Sequence, residues 1–240
     1  MSTAAGTTEA QPGRQLLLDL LPPPAPNFDN FIVGGNAEAL AALREWLSLP
    51  GSPTCFLLWG EAHSGRRHLL AASGLPLVDA AATELDVAAA LAAQTAPALA
   101  VANADRLDAA GQTALFVAFN HRRQNRGKLL LSSVQPPAAL AIREDLRTRL
   151  GSGLVYRLNA LSDAEKSAAL LARAEALGLE LPAGTLDFLF SRSARDLGTL
   201  TALIDALDRY TLEHRRPVTL PLLRRLLESE PNPEPLTVNR

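Results

Sequence analysis

Apolar residues begin to recur with a regular period only at Asn36. From there Ala37, Leu40, Leu43 and Leu47 fall on one face of a helix, Asn36 is a good N-cap residue, and Pro50-Gly51 ends the element. Five short apolar runs follow: Thr54–Trp59, Pro76–Asp79, Ala98–Asn103, Lys128–Ser133 and Leu154–Leu158. The segments between them are mostly helix-like, and such alternation predicts a parallel sheet wrapped by helices. One connecting helix is legible in detail. Asp108 can cap a segment that puts Leu115, Phe116 and Phe119 on one side, with His121, Arg122 and Arg123 near its C-terminal end, where the dipole favours cations. After Leu158 the strand pattern stops. Ser162-Asp163-Ala164-Glu165 reads as a capping box opening a helix to about Gly178, and three more helical stretches follow near 182–191, 194–214 and 219–229. The pattern thus predicts an α/β body followed by a small all-helical domain.

Composition sharpens this mainly by exclusion. The chain has 240 residues, 48% of them apolar, and a formal net charge of −2, which rules out disorder throughout and disfavours a broad basic surface for nucleic acid. A single cysteine, Cys55, leaves no internal disulfide and no multi-cysteine zinc site, so a reducing cytoplasm is the expected compartment. Every apolar stretch is broken before the ~20 residues that a membrane span needs. The leucines between Leu16 and Leu21 are interrupted by Asp19 and stopped by Pro22-Pro23-Pro24. The expected organisation is a disordered tail over 1–13, a leucine patch with a proline-rich spacer over 14–26, the α/β body over 27–160, the helical domain over 161–229 and a flexible tail over 230–240.

Candidate chemistry sits first at the end of the first strand. Gly60-Glu61-Ala62-His63-Ser64-Gly65-Arg66-Arg67 runs directly into a helix, with glycines where a P-loop has them. In such a loop backbone N–H groups cradle phosphates, a lysine neutralises them, and a hydroxyl ligates magnesium. Here Arg66 stands at the lysine position and Arg67 at the hydroxyl position. Arginine can hold a phosphate, but Arg67 cannot ligate Mg²⁺. The third strand ends in Asn103-Ala104-Asp105 where a hydrolytic site needs an acid. The loop therefore reads either as a phosphate cradle without metal chemistry or as a plain strand-to-helix turn. His63 and His68 lack a nearby third ligand and read as turn and helix residues. Gln15-Leu16-Leu17-Leu18-Asp19-Leu20 reads either as one turn of a core helix or as an extended docking peptide whose alternate leucines enter apolar pockets. Its place between a tail and a proline spacer favours the peptide.

The order of these motifs resembles the DnaA-type AAA+ family, and within it the branch of regulatory inactivators of DnaA, over about residues 14 to 228. The resemblance implies a five-stranded parallel P-loop sheet with a small helical lid. Asn27-Phe28-Asp29-Asn30-Phe31-Ile32-Val33-Gly34 is similar to the segment that lies over adenine, which assigns Ile32 and Val33 to the base and Gly60, Ser64, Gly65, Arg66 and Arg67 to the phosphates. Ser132-Ser133-Val134 falls at the first sensor, with Val134 in place of an acid or amide, and Arg195 resembles the second sensor, carried by the lid. Glu144-Asp145-Leu146-Arg147-Thr148-Arg149-Leu150 resembles the box that carries an arginine finger, which selects Arg149 over Arg147. Gln15, Leu16, Leu18 and Leu20 match the family's motif for docking on the sliding clamp, the DNA polymerase III beta subunit.

What the resemblance implies for function is a negative regulator of replication initiation that sits on the DNA-loaded clamp and stimulates hydrolysis of ATP bound to DnaA, with Arg149 acting in trans. ADP is the implied structural ligand of the chain's own loop, with no metal. No helix-turn-helix segment follows the lid, so direct sequence-specific DNA binding is not expected, and a homodimer is left open. The alternatives are a catalytically silent clamp-loader-like or DnaA-related adaptor, and a P-loop ATPase in its own right.

Overall fold

The computed structural model describes residues 24–192, 197–214 and 217–219, together with 221 and 223. Gln15, Leu16, Leu18, Leu20, Arg195, both expected tails and most of the helix expected near 219–229 lie outside the described residues. The described chain divides within one helix, at Ala169/Leu170, into an α/β unit and a helical unit.

In the α/β unit the elements run α1 (Ala37–Ser48), β1 (Cys55–Trp59), α2 (Arg66–Ala72), β2 (Leu77–Asp79), α3 (Val87–Ala93), β3 (Ala98–Ala102), α4 (Ala109–Gln124), β4 (Lys128–Ser133), α5 (Glu144–Gly151) and β5 (Leu154–Arg157). The five strands form one sheet in the order β2-β3-β4-β1-β5, with every pairing parallel. The expected runs thus become strands, shortened by a residue at some ends. β3 stops at Ala102 because Asn103 turns into the left-handed region, with φ +55°.

Strand alternation divides the core into two layers. Cys55, Leu57, Leu99, Val101, Leu129 and Leu131 face a layer that includes Leu91 of α3, Leu115 and Phe119 of α4 and Leu146 and Leu150 of α5. Phe56, Leu58, Ala100 and Leu130 face the opposite layer, with Leu40, Leu43 and Trp46 of α1 and Leu69 and Leu70 of α2. Each fully buried leucine contributes about 2 kcal/mol by leaving water, so both faces are strongly held. β1 lies between β4 and β5, and the loop that follows it emerges at the carboxyl end of the central strands.

Local chemistry sets the helix ends. Asp108 accepts from the Gly111 N–H at 2.7 Å, the expected cap of α4. Lys128 donates to the carbonyls of Trp46, Leu47 and Leu49 at 2.6, 2.8 and 3.1 Å and so closes the C-terminus of α1 from the start of β4. Arg122 lies in the last turn of α4, as expected, and does more than complement the dipole. It is buried, and its guanidinium donates to the carbonyls of Ala118, Gln94 and Ala96, which ties α4 to the turn before β3.

The helical unit takes up the end of α6 (Asp163–Ala176) and contains α7 (Thr185–Arg192) and α8 (Leu197–His214). At the start of α6 the Ser162 N–H donates to Glu165 at 2.8 Å while the Glu165 N–H donates to Ser162 Oγ at 3.2 Å, so the expected capping box forms. Leu170, Leu189, Leu200, Ile204 and Leu207 build the unit's own core, and Arg173 pairs with Asp205 at 2.7 Å. Among the described residues no helix is long and apolar enough to cross a membrane.

Candidate functional site

The loop between β1 and α2 is shaped by close approaches. A Cβ on Gly60 would lie 2.3 Å from the Leu158 carbonyl oxygen and 2.9 Å from Ser64 Oγ, so only glycine fits there. The Gly60 N–H donates to the Ser133 carbonyl at 3.2 Å, tying the loop to the end of β4. Gly65 adopts φ +88° directly before α2, and a Cβ there would meet the Phe31 ring at 2.7 Å. His63 also takes a positive φ, +61°.

Phe31 and His68 close the loop from outside. Their rings lie 5.5 Å apart, and His68 Nε2 bonds the Asn27 carbonyl at 2.9 Å. The segment over Asn27–Gly34 is thereby held beside the loop through Phe31, with Ile32 exposed and Val33 half-buried next to it. Asn36 and Asn159 exchange two hydrogen bonds, Asn36 Nδ2 to the Asn159 carbonyl at 3.0 Å and the Asn159 N–H to Asn36 Oδ1 at 2.8 Å, which anchors the segment's far end. His68 therefore has a positioning role, and among the described residues no three His, Cys, Asp or Glu side chains gather where they could hold an ion.

Two polar atoms inside this frame have no partner. Ser64 is only 4% exposed and its Oγ is unbonded, and Arg66 Nη1 is buried without a hydrogen bond. Burial pushes the Arg66 guanidinium below its ordinary range, partly opposed by the charge of Asp105. Unpaired buried donors of this kind are costly, by about 1–3 kcal/mol each, and their natural complement is an anion. The phosphate half of a nucleotide site therefore fits these residues.

The metal half does not. Arg67 stands at the hydroxyl position, and its side chain is 82% exposed with only a loose 3.8 Å contact to Asp79 Oδ2. Asp79, at the end of β2, already accepts from Asn103 Nδ2 at 2.7 Å and from the Ala81 N–H at 2.9 Å. Asp105 Oδ1 accepts the Val134 N–H at 3.0 Å, and the Asn103 N–H donates to Ser132 Oγ at 3.1 Å. The strand-end groups are thus tied to amide donors: Asp79 and Asp105 accept from N–H groups, and Ser132 Oγ accepts from the Asn103 N–H. Asp79 was not evident as part of this network from the sequence, because its partner Asn103 is brought beside it only by the β2–β3 pairing.

The α5 arginines lie on the other sheet face from α2, since Leu146 and Leu150 pack in the opposite core layer. Arg149 is half-buried, and its guanidinium sits 4.5 Å from the Phe116 centroid and 5.7 Å from that of Phe119. Among the described residues no carboxylate pairs with it, and no hydrogen bond, ion pair or ring contact joins it to the Gly60–Arg67 loop. Arg147 is also half-buried.

A P-loop-type turn at the carboxyl end of a central parallel strand, with sheet order β2-β3-β4-β1-β5 and a helical unit following, defines an AAA+ module with a lid. Comparison with solved structures agrees. Domain III of the replication initiation protein DnaA from Thermotoga maritima superposes with a TM-score of 0.65 at 23% identity, covering 85% of this chain and 96% of that one. AMPPCP-bound DnaA from Aquifex aeolicus gives 0.60 at 21% identity, covering 79% and 69%. RuvB from Thermotoga maritima gives 0.59 at 16% identity, covering 85% and 71%. Residues 163–227 match the family model described as "Hda, lid domain". An uncharacterised protein from Haemophilus influenzae is 30% identical over 213 residues, 83% of this chain and 92% of that protein. The chain belongs to the same family as this relative, an Hda/DnaA-like family of AAA+ proteins.

Proposed function

We propose that the chain is a negative regulator of replication initiation that docks on the sliding clamp through Gln15, Leu16, Leu18 and Leu20 and promotes hydrolysis of ATP held by DnaA. The lid match to Hda and the DnaA-like fold support a role in this regulation. The observation that carries the finer reading is Arg149: its guanidinium has no acidic partner among the described residues, so its charge is available to a phosphoryl group in another molecule. Such an arginine stabilises the negative charge that develops as the phosphoryl group transfers.

The chain's own loop has a different task in this proposal. The Gly60–Gly65 backbone, Ser64 and Arg66 would hold the phosphates of ADP, with Ile32 and Val33 beside the base. When bound, ADP supplies the negative charge that the unpaired Ser64 and Arg66 atoms lack. No step is routed through a metal, because Arg67 stands where the ligating hydroxyl would be and Asn103-Ala104 where the strand-end acid would be.

The test is to mix the chain with DnaA–ATP and DNA-loaded clamp and to measure ADP formed. Stimulation by the wild type, lost on Gln15→Ala/Leu18→Ala together with direct clamp binding, is the expected result. ADP formation no faster than with DnaA alone would reject the regulator and leave a silent adaptor.

A further inference from the structure

The ring under Arg149 is itself a built feature. Leu115 and Phe119 bury their side of α4 in the core, which leaves half-buried Phe116 fixed at the margin. Two guanidinium groups share that ring, Arg149 at 4.5 Å and Arg143 at 5.5 Å from its centroid. Arg143 is tied down independently. It donates to Asp145 at 2.7 Å and to Thr113 Oγ1 at 3.1 Å, and its backbone N–H donates to Gln112 at 3.0 Å. Asp145 therefore neutralises Arg143 rather than Arg149.

We propose that Phe116 is a positioning residue for Arg149, holding the guanidinium extended across α4 by its ring face while leaving the charge without an acidic partner. A free arginine side chain loses rotamer entropy when it is fixed in one geometry. The Phe116 platform removes part of that loss before a partner arrives. A carboxylate could also hold the side chain, but it would compete with phosphate for the same N–H donors, whereas a ring face holds the guanidinium plane and leaves those donors free. This inference rests on the trans role of Arg149 proposed above.

The experiment compares Phe116→Leu, Phe116→Trp and Arg149→Ala in the full chain, in the DnaA–ATP assay with loaded clamp. Phe116→Leu is expected to lower the maximal stimulated rate about 2- to 5-fold, the rate equivalent of a lost partly exposed cation–π contact. The concentration giving half-maximal stimulation should stay the same, and Phe116→Trp should restore the rate. In NMR spectra the Arg149 side-chain protons should be shifted upfield by the ring in the wild type and Phe116→Trp, and should return to ordinary positions in Phe116→Leu. A wild-type rate in Phe116→Leu beside an inactive Arg149→Ala would overturn this inference alone. Equal loss in Phe116→Leu and Phe116→Trp would also overturn it, as it would mark a packing role only. Full stimulation by Arg149→Ala would overturn the trans reading and this inference with it.

Discussion

Arg66→Met separates the cost of burying the guanidinium from its use. Arg66 keeps a buried Nη1 with no hydrogen-bond partner among the described residues, beside the opposing attraction of Asp105. Leaving such a donor unsatisfied costs about 1–3 kcal/mol, and an attraction across a partly solvated site returns on the order of 1 kcal/mol. Methionine fills similar space without a charge, so the ligand-free variant should be about 1 kcal/mol more stable than the wild type. With ADP the sign reverses. A charge-assisted hydrogen bond to phosphate is worth about 1.5–3 kcal/mol, so the variant should bind ADP roughly 10- to 100-fold more weakly. At an ADP concentration 100 times the wild-type Kd, ligand linkage adds about 2.7 kcal/mol to the wild type, and about 1.3–2.3 kcal/mol of that should vanish in the variant. Urea denaturation with and without ADP reads both effects. Loss of stability in ligand-free Arg66→Met, or an unchanged ADP affinity, would refute the reasoning.

Three other outcomes follow from local geometry. Gly60→Ala forces a Cβ to 2.3 Å from a backbone oxygen, and should lower stability by about 2–4 kcal/mol in denaturant titration while weakening ADP binding. Burial pushes the Cys55 thiol up to about 12, so a thiol reagent should label native protein at pH 8 only as fast as it unfolds, and rapid labelling would contradict the buried placement. The Glu165 carboxyl is held below its ordinary value of 4.5 by the N–H and hydroxyl of Ser162. A depressed folded-state pKa gives stability that is present above the unfolded value and lost as pH falls through the folded one. The stability difference between wild type and Glu165→Gln should therefore be constant near neutrality and close below about pH 4.

Legibility in the sequence followed the range of the interaction. The capping box at Ser162 and the Asp108 cap are contacts within one turn of helix, and both form as the residue types imply. The Lys128–Ser133 run becomes a strand with those same bounds, because its middle, Leu129–Leu131, is buried on both faces and so reads as an unbroken apolar run. Strand order was not legible, since Leu129 to Leu131 carry no mark of which neighbours they will have. The loop between Gly60 and Arg67 was recognisable from its glycines, yet the features that give it meaning come from afar. Phe31 against Gly65 and Leu158 against Gly60, Asn103 with Asp79 and Asn36 with Asn159 all join residues distant in sequence. Phe116 was visible only as one apolar residue of a helix face, and its relation to Arg149 required the packing of α5 beside α4.

The trans role proposed for Arg149 is tested most directly by single-turnover hydrolysis of ATP pre-bound to DnaA, with loaded clamp and either wild-type chain or Arg149→Ala, each first shown to bind the clamp equally. The wild type is expected to accelerate ADP formation, and Arg149→Ala to fall to the rate of DnaA alone. Acceleration by Arg149→Ala equal to that of the wild type would contradict it.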